Sequence, residues 1–272
     1  MPSFRLTLAY DGTEFSGSQV QPDQRTVQGE LEVVLEQLAE TRVRAVFAGR
    51  TDRGVHAVGQ VAAVTLPRWS GTPLDLQQAL NASLPIDLDT IDVVACTASF
   101  NPRFDALWRE YRYCIAPALA GPFLGRYAWT RRTELDAEAV RAGGQRLVGT
   151  HDFASFAGGG EGVPWSQRAS RPMGTTRTVL RCDCQEIWPR FGPGSDATAR
   201  VVEIRVAADG FLPHMVRNIV GALLQVGQGR RGPEWISELL AERDRRQGPV
   251  GAPPQGLTLS RVGFPGDVLD DD

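Results

Sequence analysis

Residues Val43–Leu66 read V-R-A-V-F-A-G-R-T-D-R-G-V-H-A-V-G-Q-V-A-A-V-T-L. Two apolar runs, Val43–Phe47 and Val61–Leu66, flank the polar, glycine-containing stretch Ala48–Gln60. Runs of this kind separated by glycine-bearing polar residues predict strand, loop, strand. The loop holds a carboxylate (Asp52), two guanidiniums (Arg50 and Arg53), an imidazole (His56) and three glycines (Gly49, Gly54 and Gly59). Glycine lets the backbone turn through positive φ or approach another group closely. A simple hairpin would manage with Asn-Gly, so an Asp set among cations suggests a site kept for chemistry. On its own the loop reads as readily as a turn whose Asp bonds its own backbone. The rest of the chain decides between these readings.

On the N-terminal side, Phe4–Tyr10 alternates as a strand and is broken by Asp11-Gly12-Thr13. Thr26 is placed to cap a helix over Val27–Ala39, with Val27, Leu31, Val34, Leu35 and Leu38 on one face. On the C-terminal side, Pro73 opens a helix carrying Leu74, Leu76, Leu80 and Leu84, stopped by Pro85. Ile91–Thr97 reads as a further strand. The order β-α-β-β-α-β is the ferredoxin-like pattern.

The second half repeats it. Glu110–Ile115, Thr178–Trp188, Ala199–Ala208 and Leu257–Gly263 read as strands, and Leu135–Leu147, Leu212–Val226 and Pro233–Leu240 as helices. The expected class is α+β, with two ferredoxin-like, RRM-like halves whose sheets lie side by side or join. The expected divisions are residues 1–104, carrying the central loop, residues 105–265, and an acidic tail over 266–272. The glycine-rich, basic stretch Gly158–Thr176 is long for a loop in a compact domain, which marks it as functional or mobile.

Composition narrows the class. With 272 residues and 42% apolar content, the chain can bury a sizeable core. Cys96, Cys114, Cys182 and Cys184 are scattered through apolar runs and form no disulfide framework, which fits a reducing compartment. No apolar run approaches the ~20 residues of a membrane helix, and Met1–Arg5 leads straight into a strand pattern. A cytoplasmic protein without a leader is therefore expected. The net charge of −3 argues against a nucleic-acid partner. Against that, the tail carries Asp267, Asp270, Asp271 and Asp272, and all 29 basic residues are arginine. Arginine presents a planar fork to phosphate and stacks on bases. Arg50/Arg53, Arg168/Arg171/Arg177 and Arg230/Arg231 cluster with glycines, and the basic Gly- or Pro-rich stretches Gly158–Thr176, Arg230–Gly232 and Arg243–Gly256 are the candidates for phosphate contact.

His56, His151 and His214 lack ligand spacing, so no zinc site is expected. There is no phosphate-binding loop ending in Lys-Ser/Thr, no G-x-G-x-x-G that follows a strand into a helix and no G-x-S-x-G. What remains is a carboxylate with arginines.

Arg50-Thr51-Asp52-Arg53-Gly54-Val55-His56-Ala57 closely resembles the catalytic motif of the tRNA pseudouridine synthase A (TruA) family, G-R-T-D-A/x-G-V-H-A. Five further stretches resemble it in order: Tyr10–Gly17 with Gln19, Gln21-Pro22 and Thr26–Gln28; Phe100–Ala106 with Arg109-x-Tyr111-Arg112-Tyr113; Gly149–Phe156; Gly210–Gly221; and Pro253–Leu259. The resemblance implies isomerisation of uridine to pseudouridine at position 38, 39 or 40 of the tRNA anticodon stem-loop. It implies a homodimer binding tRNA across both subunits, with no metal, organic cofactor or membrane involved. It also implies two ferredoxin-like halves joined in one largely antiparallel central sheet. The family assigns Asp52 as nucleophile or base, Arg217 as its ion-pair partner and Tyr111 as the ring that stacks on the target base. Arg50, Arg53, Gly54, His56 and Leu257 fall where the family meets its substrate, His56 with a structural role first. Two positions depart from the pattern. Ser18 stands where the family usually has Trp, which is expected to loosen the first loop. Arg53 replaces Ala and adds a cation beside Asp52.

Two other readings compete. Ferredoxin-like sheets often bind RNA through stacked aromatics without catalysis, but such a module has no need of both Asp52 and Arg217. Cleavage of an N-glycosidic bond usually calls for two carboxylates flanking it, and one is evident.

Overall fold

The computed structural model describes residues 1–118, 121–158, 174–189 and 199–269. Most of the Gly158–Thr176 loop, with Arg168 and Arg171, lies outside them, as does the end of the acidic tail. In chain order the strands are β1 (Ser3–Tyr10), β2 (Val46–Phe47), β3 (His56–Thr65), β4 (Leu88–Cys96), β5 (Trp108–Pro117), β6 (Trp129–Arg131), β7 (Gly149–Asp152), β8 (Thr176–Ile187), β9 (Val201–Ala208) and β10 (Leu257–Gly263). The helices are α1 (Val27–Ala39), α2 (Pro73–Ser83), α3 (Pro102–Asp105), α4 (Gly121–Gly125), α5 (Ala137–Gln145), α6 (Met215–Gly227) and α7 (Trp235–Glu242). Largely antiparallel pairing with helices packed on the strands makes the fold α+β. No helix among the described residues is long and apolar enough to cross a membrane.

Two compact units divide the chain: Met1–Arg109 with the C-terminal stretch from Thr258, and Glu110–Leu257. The chain leaves the first unit inside β5 and re-enters it at the start of β10.

In the first unit β1 pairs antiparallel with both β3 and β4. The free side of β3 is shared: β2 pairs at Ala62 and Ala63, and β10 runs parallel at His56 and Ala57. Helix α1 has the predicted bounds. Its Thr26 hydroxyl accepts the Gly29 N–H, and Val27, Leu31, Val34 and Leu35 are buried, with Leu38 half-buried. Helix α2 begins on a capping box between Thr72 and Asp75 and ends at Ser83, with Leu84 as its extended cap before Pro85.

The expected strand Val43–Phe47 is corrected to Val46–Phe47. Ala45, just before it, spends its backbone groups on α1 rather than on a ladder. Ala45 N–H donates to Glu32 Oε1 (2.9 Å), and Gln28 Nε2 donates to Ala45 O (3.2 Å). At the other end β3 starts earlier than expected, at His56, because Ala57 is still in register with Tyr10 of β1. The predicted loop Ala48–Gln60 therefore shortens to the eight residues before His56.

In the second unit the strand order is β5-β9-β8-β7, with β6 parallel to β5. Helix α5 packs on β8 and on α6. The core gathers Phe153, Phe156, Leu147, Ile204, Val206, Ile219 and Leu223. Helix α6 starts at Met215, three residues later than its apolar pattern suggests, because His214 sits in the left-handed region (φ 58°). The Gly149–Phe156 stretch is structural here: Asn218 Nδ2 donates to Phe156 O (2.7 Å), and Ser155 Oγ accepts Asp244 N–H (3.0 Å). Arg177, one of the arginines that cluster with glycines, is buried and donates to the carbonyls of Gly174 and Thr176.

The segment Val250–Ala252 lies against α6. A Cβ on Gly221 would stand 2.1 Å from Val250 O. Helix propensity alone makes Gly221→Ala stabilising by about 1 kcal/mol. The clash with a backbone carbonyl reverses the sign, and a loss of about 2–3 kcal/mol in urea-unfolding free energy is expected.

Candidate active site

The loop between β2 and β3 is held from several directions. Arg109 collects three carbonyls, donating through Nη2 to Ala48 O and Arg103 O (both 2.9 Å) and through Nη1 to Ala106 O (3.1 Å). Gln60 Nε2 donates to Gly49 O (3.0 Å). Thr51 is bonded at every polar atom. Its N–H donates to Ser18 Oγ (2.9 Å), its carbonyl accepts Ser18 N–H (3.0 Å), and its hydroxyl meets Tyr10 OH (2.8 Å). Val55 N–H closes a turn onto Asp52 O (3.1 Å), with Gly54 at φ 77°. Asp52 thus sits half-buried at the tip of a braced turn, with Arg50 and Arg53 exposed on either side.

His56 is 3% exposed, and its Nδ1 accepts the Gly12 N–H at 3.0 Å. Asp11 Oδ1 lies 3.3 Å from the same nitrogen. A nitrogen that accepts a backbone N–H has no proton to give, so the tautomer this geometry requires carries its proton on Nε2. We therefore read the Asp11 approach as proximity rather than an ion pair. Asp11 Oδ1 accepts from Thr13 N (3.0 Å) and Thr13 Oγ1 (2.6 Å). His56 joins the first loop to the Asp52 loop, the structural role expected of it. Gly12 makes that join possible, since a Cβ there would stand 2.0 Å from Val55 O.

Burial pushes the Tyr10 phenol up to about 12 against the opposing effect of its hydrogen bonds to Thr51 and Gln60. The hydroxyl stays protonated at neutral pH.

The remaining expected residues belong to the second unit. Tyr111 on β5 is buried, with Phe211 edge-on at 5.2 Å. Arg217, in the first turn of α6, is half-buried. Its Nε donates to Ala252 O (2.7 Å), and Ala252 N–H returns a bond to Arg217 O (2.9 Å). Leu257 is buried at the start of β10, after the turn Pro254–Gly256. Tyr113 OH donates to Pro253 O (2.8 Å). Arg217, Tyr113 and the Ala252–Pro253 stretch thus form one cluster within this unit. Among the described residues no three His, Cys, Asp or Glu side chains come together as metal ligands.

The profile of a family described as tRNA pseudouridine synthase matches residues 7–105 and 144–265. The chain belongs to the tRNA pseudouridine synthase A family. It is 45% identical over 99% of its length to tRNA pseudouridine synthase A of Chloroflexus aurantiacus, covering 91% of that protein. The corresponding protein of Thermosipho africanus is 41% identical, with 97% of this chain and 100% of the relative covered. That of Chlamydia muridarum is 38% identical, with 96% and 91% covered. Membership makes the chain an enzyme of the isomerase class.

Against the pattern of the tRNA pseudouridine synthase A family, the Ser18 departure does not have the expected effect. Ser18 is 1% exposed and makes two bonds to Thr51, so the first loop is tied down rather than loosened. No local pattern in the sequence signals this role, or that of Arg109. Tyr10, Gly12 and Arg109 all lie inside the family motifs, but their partners are far away in sequence.

Proposed function

We propose that this chain converts uridine to pseudouridine at position 38, 39 or 40 of the tRNA anticodon stem-loop. Asp52 is the reacting carboxylate, as nucleophile or base. Arg217 is its ion-pair partner, and Tyr111 stacks on the target base. The enzyme works as a homodimer on tRNA. The observation that carries the reading is the braced turn presenting Asp52 within a family match over residues 7–105 and 144–265.

The chemistry suits these groups. The C1′–N1 bond breaks, the base rotates, a C1′–C5 bond forms, and the proton leaving C5 is balanced by one gained at N1. No net oxidation occurs, so no redox cofactor is required. An ionised carboxylate in a pocket needs an opposing charge, because desolvation favours its neutral form and a nearby Arg reverses that. A flipped base needs an aromatic platform, which Tyr111 supplies.

The test is to incubate the protein with unmodified tRNA transcript and map pseudouridine by mass spectrometry. New pseudouridine among positions 38–40 is expected. Binding without conversion would favour a silent RNA-binding module, and release of free uracil would favour a glycosidase.

Binding should weaken with salt. Arg50, Arg53, Arg230 and Arg231 are exposed. If these four meet phosphates, log K should fall against log salt with a slope of about −3 to −4. A flat response in a filter-binding titration removes them from the interface.

A further inference from the structure

The peptide planes on both sides of Asp52 are bonded. Thr51 O lies in the plane that enters Asp52 and accepts Ser18 N–H (3.0 Å). Asp52 O lies in the plane that leaves it and accepts Val55 N–H (3.1 Å). With peptide units planar, fixing both planes fixes the Cα–Cβ direction of Asp52 and leaves only its side-chain torsions to vary.

Ser18 is itself anchored. Its carbonyl accepts Gln28 N–H (3.0 Å), and the neighbouring Gly17 carbonyl accepts Val27 N–H (3.3 Å), both from the first turn of α1. Gly17 has φ 100°, and a Cβ there would lie 2.9 Å from Thr51 O, so the close approach of the two segments depends on it. Tyr10 braces the same residue from β1 through the Thr51 hydroxyl, and its ring packs edge-on against Phe15 at 6.3 Å. Ser18, Tyr10 and Thr51 are all nearly inaccessible to water. The serine also has chemical consequence: the Trp expected at this position has only an indole N–H donor and could not accept the Thr51 N–H.

We propose that Ser18 and Tyr10 are positioning residues that aim the Asp52 carboxylate by acting through Thr51. The proposal rests on Asp52 being the reacting group. A brace that served folding alone would lower stability and leave the turnover of folded enzyme unchanged. A brace that aims the carboxylate lowers turnover and leaves tRNA affinity unchanged, because misplacing a reacting group by about 1 Å costs on the order of a hundredfold in rate.

The experiment measures single-turnover pseudouridine formation at saturating tRNA and tRNA affinity by filter binding. Rates are expressed per folded molecule, from circular dichroism. Ser18→Ala removes the acceptor, and Thr51→Val removes the hydroxyl at similar volume. Each is expected to lower the rate by about tenfold to a hundredfold, with affinity within about twofold of wild type. Thr51→Ser restores the hydroxyl and is expected to return the rate to within about threefold. Wild-type rates in both Ser18→Ala and Thr51→Val, beside an inactive Asp52→Asn, overturn the positioning role while leaving Asp52 in place. Losses of rate that simply follow losses of affinity overturn it too. An active Asp52→Asn removes the foundation of both readings.

Discussion

Asp52→Asn is expected to abolish pseudouridine formation, with a rate loss on the order of 10⁴ or more, while tRNA affinity stays within about threefold of wild type. The two halves of this expectation come from different parts of the structure. The turn around residue 52 is held by backbone bonds, Val55 N–H to Asp52 O and Ser18 N–H to Thr51 O, which an amide side chain does not disturb. The substitution is nearly isosteric, so the loop should keep its form. What disappears is a charged oxygen able to attack carbon or take a proton. On the proposed reading affinity comes from the exposed arginines, and it should barely respond. Single-turnover kinetics with mass-spectrometric detection, alongside filter binding, separate the two quantities. An Asp52→Asn variant that turned over at about a tenth of the wild-type rate would remove this carboxylate from the reaction.

Gly12→Ala should have the second largest effect. The methyl group would stand 2.0 Å from Val55 O and 2.5 Å from Val55 C, both backbone atoms that no side-chain rotation can clear. Either the first loop or the Asp52 turn must move by an ångström or more. Movement of the first loop also strains the bond from Gly12 N–H to His56 Nδ1. We expect a stability loss of about 3 kcal/mol in urea unfolding and a turnover loss of about a hundredfold in the molecules that remain folded. Wild-type stability and rate in this variant would show that the two loops do not bear on each other.

Much of the fold was legible in the chain. Helix α1 announced itself through Thr26 and a clean apolar stripe, and the Leu257–Gly263 strand through alternation. Period and capping are local signals, and they work where an element satisfies its own backbone. They fail where backbone groups find partners elsewhere. Ala45 looks like strand but bonds to Glu32 and Gln28 of α1. The three-residue β6 and four-residue β7 are too short to show a period. The candidate site divides the same way. Asp52, Arg50, Arg53, Gly54 and His56 lie in one contiguous motif and could be read off together. The Ser18–Thr51 and Arg109–Ala48 bonds join residues 33 and 61 positions apart, and nothing in composition or spacing reveals such pairs.

The first unit is interrupted in sequence, since its β10 strand follows the whole of the second. On the ribosome, β1 to β4 emerge first and must wait with one flank of β3, at His56 and Ala57, uncovered until the final strand is synthesised. Closing that distant pairing carries a large loop entropy, which makes it a slow event in maturation. The nascent chain therefore completes the surroundings of the Asp52 loop only after β10 has been made, when that strand covers the start of β3.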